Sequence, residues 1–211
     1  MSFSHMGMYV SDIARMEDFY TRVLGFTVTD RGVLGATSLV FLSRDPKDHH
    51  QIVLASGRPA EVNFNPINQI SFRMAELAGL RQMHGLLRKE AVADLAPVSH
   101  GNALSLYFKD PEGNRVELFI DTPWYVEQPL RIPMDMSLPD RELWAWAEAD
   151  ARKRPGFKPV AKWRAEVAAR MGRGRASARP RSARAGRSPA RRRPQKARAA
   201  SRPTRRARRR A

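Results

Sequence analysis

Val98-Ser99-His100-Gly101-Asn102-Ala103-Leu104-Ser105-Leu106-Tyr107-Phe108-Lys109-Asp110-Pro111-Glu112-Gly113-Asn114-Arg115-Val116-Glu117 is the stretch that decides the fold of this 211-residue chain. Two runs of strand-forming residues, 104–108 and 114–120, flank an Asp-Pro-Glu-Gly segment whose residue types are those of a turn. Inside the second run a lone acid, Glu117, sits among Val116, Leu118, Phe119 and Ile120. A carboxylate in that company is costly unless something neutralises it. A metal would do so, and so would a buried arginine such as Arg73.

Upstream of this stretch, residues 67–73 read as a strand. Residues 74–90 read as a helix, with Leu77, Leu80, Met83, Leu86 and Leu87 at helical spacing. Residues 93–98 read as a weak strand, and Gly101-Asn102 suits the hairpin that follows. The first half of the chain has the same order. A strand over 3–10 carries His5 near its start. Ser11-Asp12 signals a helix start, and Ile13, Met16, Phe19, Tyr20, Val23 and Leu24 recur at helical spacing up to the stop signal Gly25. Strands over 26–29, 36–42 and 49–55 complete the unit. Ser38-Leu39-Val40-Phe41 echoes Ser105-Leu106-Tyr107-Phe108, and Asp-Pro follows each. The expectation is an internal duplication offset by 64 to 67 residues. The fold class is α+β: paired βαβββ modules forming a curved mixed sheet, with a helical C-terminal extension and a disordered basic tail.

Three regions follow from composition: a two-module domain over 1–122, a Pro/Trp strap with two short helices over 123–171, and an Arg-rich tail over 172–211. The helices are expected at about 140–154 and 159–171, with Gly172 as a stop. The net charge of +17 belongs to the tail, where 16 Arg and one Lys stand without an acid; residues 1–171 balance. The tail has too little apolar content to fold alone. It has three readings: nonspecific contact with nucleic acid or another polyanion, contact with an anionic membrane, or an extension without a selected role. The chain has no cysteine, hence no disulfide and no thiolate metal site. It also has neither a signal-peptide pattern nor an apolar run long enough to span a bilayer, so the expected location is cytoplasmic.

The paired modules, with a histidine near the first strand and an acid in the last, resemble the vicinal oxygen chelate superfamily. Its members include glyoxalases, bleomycin- and fosfomycin-resistance proteins and type I extradiol ring-cleaving dioxygenases. The resemblance covers residues 3–122. The opening stretch narrows it: His100, then Leu106-Tyr107, Asp110-Pro111, Gly113 and Glu117 stand at the spacing of the extradiol signature.

The resemblance implies a metal held by His5, Gln69 and Glu117, with open positions for ligands. Gln69 stands where the family has a histidine, 64 residues after His5. Fe(II) is the implied metal, with another divalent ion as the alternative because of that glutamine. Glyoxalase-type isomerases carry a fourth, acidic ligand at the position of Val53; valine cannot serve, which favours the dioxygenase branch. His50, His100 and Tyr107 take the implied catalytic roles, His50 as proton shuttle beside bound oxygen and the other two as hydrogen-bonding partners of the substrate oxygens. The implied reaction is ring cleavage of a catechol-like aromatic by O2. The alternative is a metal-poor small-molecule binding or resistance protein of the same fold. The cavity closes either within one chain or in a homodimer. Beside these roles stand plainer ones: His49 turned outward from His50 as a strand neighbour, His84 structural, Asp110–Gly113 a turn, Tyr107 and Phe119 core.

Overall fold

A computed structural model of the chain describes residues 2–62 and 64–177. The expected disorder of the tail falls, from residue 178 onward, outside the described residues. Each half of the duplicated region builds one sheet and one helix. In the first half, β1 (Met6–Val10), β2 (Thr27–Leu34), β3 (Thr37–Ser43) and β4 (Ile52–Ser56) form a sheet in the order β1-β4-β3-β2. Its helix α1 (Ile13–Asp18) continues as a π-helical turn, Phe19–Val23, and ends before Gly25 at φ +70°. The second half supplies β5 (Ile70–Arg73), α2 (Leu77–Lys89), β6 (Ala96–Ser99), β7 (Ala103–Lys109) and β8 (Arg115–Asp121). Both sheets are mixed, with parallel β1–β4 and β5–β8 pairs and antiparallel neighbours.

The duplication is visible in the register. Met6 pairs Ile52 in the first sheet, and Ile70 pairs Val116 in the second, each 64 positions on. Val53 and Glu117 are therefore equivalent. So are Phe41 and Tyr107, which pair with them.

Alternation along the strands sorts the side chains. Val40, Leu42, Ile52 and Leu54 in one sheet and Leu104, Leu106, Phe108, Val116, Leu118 and Ile120 in the other are buried together with Met16, Phe19, Tyr20, Leu77, Leu80 and Leu87 of the helical segments. Each such side chain contributes about 1.5–3 kcal/mol relative to exposure. Phe41, Val53, Tyr107, Glu117 and Phe119 fall on the opposite faces.

The Asp-Pro-Glu-Gly turn fastens the two halves. Glu112 Oε1 accepts from the backbone N–H of Ser11 at 2.6 Å and of Asp12 at 2.8 Å, at the start of α1. Asp110, only 4% exposed, accepts from the N–H groups of Glu112 and Asn114, from Asn114 Nδ2 and from the buried Tyr20 hydroxyl. Burial pushes both the Asp110 carboxyl and the Tyr20 phenol above their ordinary values.

Beyond β8, a two-stranded ladder pairs β9 (Trp124–Tyr125) with the later strand β11 (Lys158–Pro159). Strand β10 (Ile132–Pro133) adds itself to the edge of the second sheet, pairing with β6. Gly101 accepts the Trp124 indole N–H and the Thr122 hydroxyl on its carbonyl. Its φ is +72°, and a Cβ there would collide with Val126, so this turn requires glycine. Helix α3 (Asp140–Ala151) buries Leu143, Ala147 and Ala151. Helix α4 (Val160–Ser177) runs past Gly172, where a stop was expected. The chain divides into two units, Met1–Met171 and Gly172–Ala211, and both sheets lie in the first. Among the described residues no helix is long and apolar enough to cross a membrane.

Two other expectations are revised. Strand β2 runs on through Arg31-Gly32 to Leu34, because a bulge between Val28 and Asp30 resets its pairing with β3 and the turn comes only at Gly35. Strand β4 begins at Ile52, so His49 and His50 precede it and do not alternate across a sheet.

Candidate functional site

Glu117 lies in the middle of β8 and is 6% exposed. Its neutralising partners are neither an arginine nor distant groups. Parallel pairing sets Ser71 of β5 directly beside it. Ser71 Oγ donates to Glu117 Oε2 at 2.6 Å, and Gln69 Nε2 donates to the same oxygen at 2.9 Å. Arg73 instead pairs with Asp121 at 3.1 Å and lies over the Phe119 ring.

Tyr107 faces Glu117 across the β7–β8 ladder. Burial, and then the neighbouring Glu117 carboxylate, push its phenol up to about 12, so it holds its proton throughout the neutral range. His100, at the β6–β7 turn, brings Nε2 to 3.0 Å from the Tyr107 hydroxyl and 3.7 Å from Glu117 Oε1. Its other nitrogen, Nδ1, is 2.5 Å from the carbonyl oxygen of Leu130 in the strap. A carbonyl can only accept, so Nδ1 carries the proton, and in the neutral ring Nε2 is an acceptor. These side chains line an open cleft of about 280 Å³ together with Asn102 and Gln128.

The structure therefore brings Gln69, Glu117, His100 and Tyr107 together. His5 and His50, which stand just before β1 and β4, meet each other. Their ring centroids are 4.2 Å apart, and His49 Nδ1 lies 2.8 Å from His50 Nδ1, with Phe41 beside both. His49 is the more exposed of the pair, but the rings meet rather than diverge. Burial, and then the neighbouring His5 and His49, lower the His50 pKa, which keeps it neutral near pH 7. Among the described residues His5 shares no hydrogen bond or ring contact with Gln69 or Glu117. Among the described residues no three His, Asp or Glu side chains converge so as to hold a metal ion, a set in which the Gln69 amide does not count.

Ser71, Gln128 and the Leu130 carbonyl belong to this site although the sequence did not single them out. Ser71 had a signal: it stands two residues after Gln69 on the same strand face. The strap residues had none, because their contacts with His100 span about 30 positions of chain.

Comparison with known proteins gives the following. The family model described as glyoxalase/bleomycin resistance protein/dioxygenase superfamily matches residues 2–118. Biphenyl-2,3-diol 1,2-dioxygenase 2 of Rhodococcus globerulus is 30% identical over 123 residues, covering 56% of this chain and 62% of that protein. Biphenyl-2,3-diol 1,2-dioxygenase 3 of the same organism is also 30% identical, over 126 residues. The chain thus spans less than two thirds of the length of these curated relatives. Among solved structures, a glyoxylase/bleomycin resistance protein/dioxygenase domain from Frankia sp. EAN1pec is similar with a TM-score of 0.51 and 22% identity. The match covers 58% of this chain and 98% of that one, and the likeness is one of fold.

Proposed function

Because the chain belongs to the glyoxalase/bleomycin resistance protein/dioxygenase superfamily, we propose that it is an extradiol-type dioxygenase that opens a catechol-like aromatic ring with O2. The observation that carries this reading is the convergence of Glu117, Gln69, His100 and Tyr107 at one open cleft. The protein's part is to place the diol and move its protons. The Tyr107 hydroxyl donates to His100 Nε2, and that hydrogen bond is handed to a substrate oxygen when the diol enters between the two side chains. His100, held in its Nδ1–H form by the Leu130 carbonyl, offers Nε2 as an acceptor for a hydroxyl proton. When bound, a divalent metal, Fe(II) by the resemblance, supplies the oxygen chemistry.

The proposed ligand set is Glu117, Gln69 and His5, of which Glu117 and Gln69 share a hydrogen bond. In this reading His5 comes either from the first half of the same chain or from a second copy that presents that half to the cleft. The His5 and His50 rings are in contact, so the copy that brings one brings the other. A symmetric pair would complete two such sites.

A second reading is a metal-poor pocket for a small aromatic ligand. The Gln69 amide supports it, since its N–H is turned toward Glu117. The test that separates the two is anaerobic loading with Fe(II), followed by exposure of a panel of catechols to O2. A coloured ring-opened product with consumption of O2 supports the enzyme. Aromatic binding by a chain that retains no metal and opens no ring supports the pocket.

A further inference from the structure

Tyr107 lines a second recess as well as the cleft that holds Glu117. This recess measures about 320 Å³ and is walled by Arg131, Arg115, Lys109, Asp94 and the apolar groups around Phe108. Its charges are unbalanced. Lys109 Nζ is satisfied by Asp94 at 3.2 Å. Arg131 and Arg115 make no ion pair or side-chain hydrogen bond among the described residues, and the undescribed residues include no Asp or Glu. Arg131 lies over the Tyr107 ring, its Cζ 5.6 Å from the centroid, so its face is occupied while the N–H edge stays free.

The placement is built into the fold. Pairing of Ile132 with Ser99 adds the strap to the sheet edge one residue after Arg131. The preceding residue, Leu130, is tied to His100. The same short segment therefore fixes both the tautomer of His100 and the position of the guanidinium. Arg131 also lies beyond residue 118, where the family match ends, so it is a property of this chain's extension and not of the matched modules.

We infer that the ligand of this site is an aromatic carboxylic acid, its ring against Tyr107 in the cleft and its carboxylate in the recess beside Arg131 and Arg115. A planar guanidinium with a free edge matches a carboxylate through two parallel hydrogen bonds. Tyr107 lines both cavities, so a short chain between ring and acid would run past its side chain from one to the other. The inference rests on reading the Tyr107 cleft as the substrate site, and it adds the charge of the substrate to that reading.

The test is equilibrium binding, by calorimetry with the full chain, of 3-phenylpropanoate and of its uncharged amide. Neither probe carries the hydroxyls needed for ring opening. The wild-type chain is expected to prefer the acid by about tenfold at low salt, the ratio set by 1.4 kcal/mol of differential binding. The preference should shrink as salt is raised. Arg131→Gln should lower the ratio severalfold, with Arg115 and the tail still present, and Arg131→Lys should restore part of it. The Arg-rich tail is identical in all three chains, so any attraction it exerts on acids cancels in the comparison. Equal binding of the two probes by the wild type, an undiminished preference in Arg131→Gln, or no saturable binding of the acid would each overturn the inference. An intact preference in a chain that opens no catechol ring would sink the dioxygenase reading and leave this one standing. Ring opening without any acid preference would do the reverse.

Discussion

Gln69 and Ser71 both donate to one oxygen of Glu117, at 2.9 and 2.6 Å, leaving the other oxygen 3.7 Å from His100. Ser71 thus orients the carboxylate, and in the proposed metal site its hydroxyl would hold a ligand in place without touching the metal. Ser71→Ala is expected to weaken divalent-metal binding by about 10–100-fold while the fold is kept, since hydrogen bonds that orient a metal-ligating carboxylate carry effects of that size. Titration with a metal-sensitive dye measures this. Unchanged affinity would mean that Glu117 does not depend on Ser71 for its orientation.

Tyr107 should be among the last tyrosines to ionise. With its pKa pushed up to about 12, its contribution to stability is complete below the ordinary phenol value near 10 and is lost as pH rises through about 12. Absorbance at alkaline pH, compared between the wild type and Tyr107→Phe, should lose a component that titrates near the raised value. Loss of a component at the ordinary phenol pKa would show that Glu117 and burial leave Tyr107 unperturbed.

Asp110 joins the two modules, and its replacement should be felt in folding rather than in binding. Asp110→Ala leaves the N–H groups of Glu112 and Asn114 and the Asn114 side chain without their acceptor. The expected loss is about 1–3 kcal/mol of unfolding free energy in denaturant. Burial raises the native carboxyl, so the wild type should lose stability as pH rises from the ordinary carboxylate value through that raised value. The variant should lack this slope on the acid side. A wild-type curve that gains stability over the same interval would contradict the burial of an ionisable Asp110.

If a second copy supplies His5, then His5→Ala and Glu117→Ala chains, each deficient alone, should complement when unfolded and refolded together. Random pairing would leave about a quarter of the sites with both residues intact, because half the dimers are mixed and one of their two sites is whole. Ring-opening rate per chain measures this. A mixture no better than its components would require His5 and Glu117 to act within one chain.

The modular fold was legible because the repeat is written in the residues. Ser38–Phe41 and Ser105–Phe108 echo each other, although the pairing of Phe41 with Val53 and of Tyr107 with Glu117 shifts that echo by one residue, and the 64-residue offset from His5 to Gln69 reappears as the register of β1–β4 and β5–β8. The neighbourhood of Gln69 and Glu117 was implied by the family resemblance, and the offset fixed which residue stands at the second histidine's place. What stayed hidden is long-range. Nothing local to Leu130 or Arg131 indicates that the strap returns to His100 and Tyr107, since that contact depends on two residues, Ile132 and Pro133, extending a sheet edge. A duplication says which residues are equivalent, but not which faces of the two sheets meet.

Metal content after anaerobic reconstitution tests the central claim most directly. The purified chain, loaded with Fe(II), freed of excess metal and analysed by element, should hold about one iron per chain, and Glu117→Ala should hold close to none, as expected when one carboxylate anchors each metal. A wild type that retains no iron, or a Glu117→Ala chain that retains as much as the wild type, would contradict the assignment of Glu117 to a metal site.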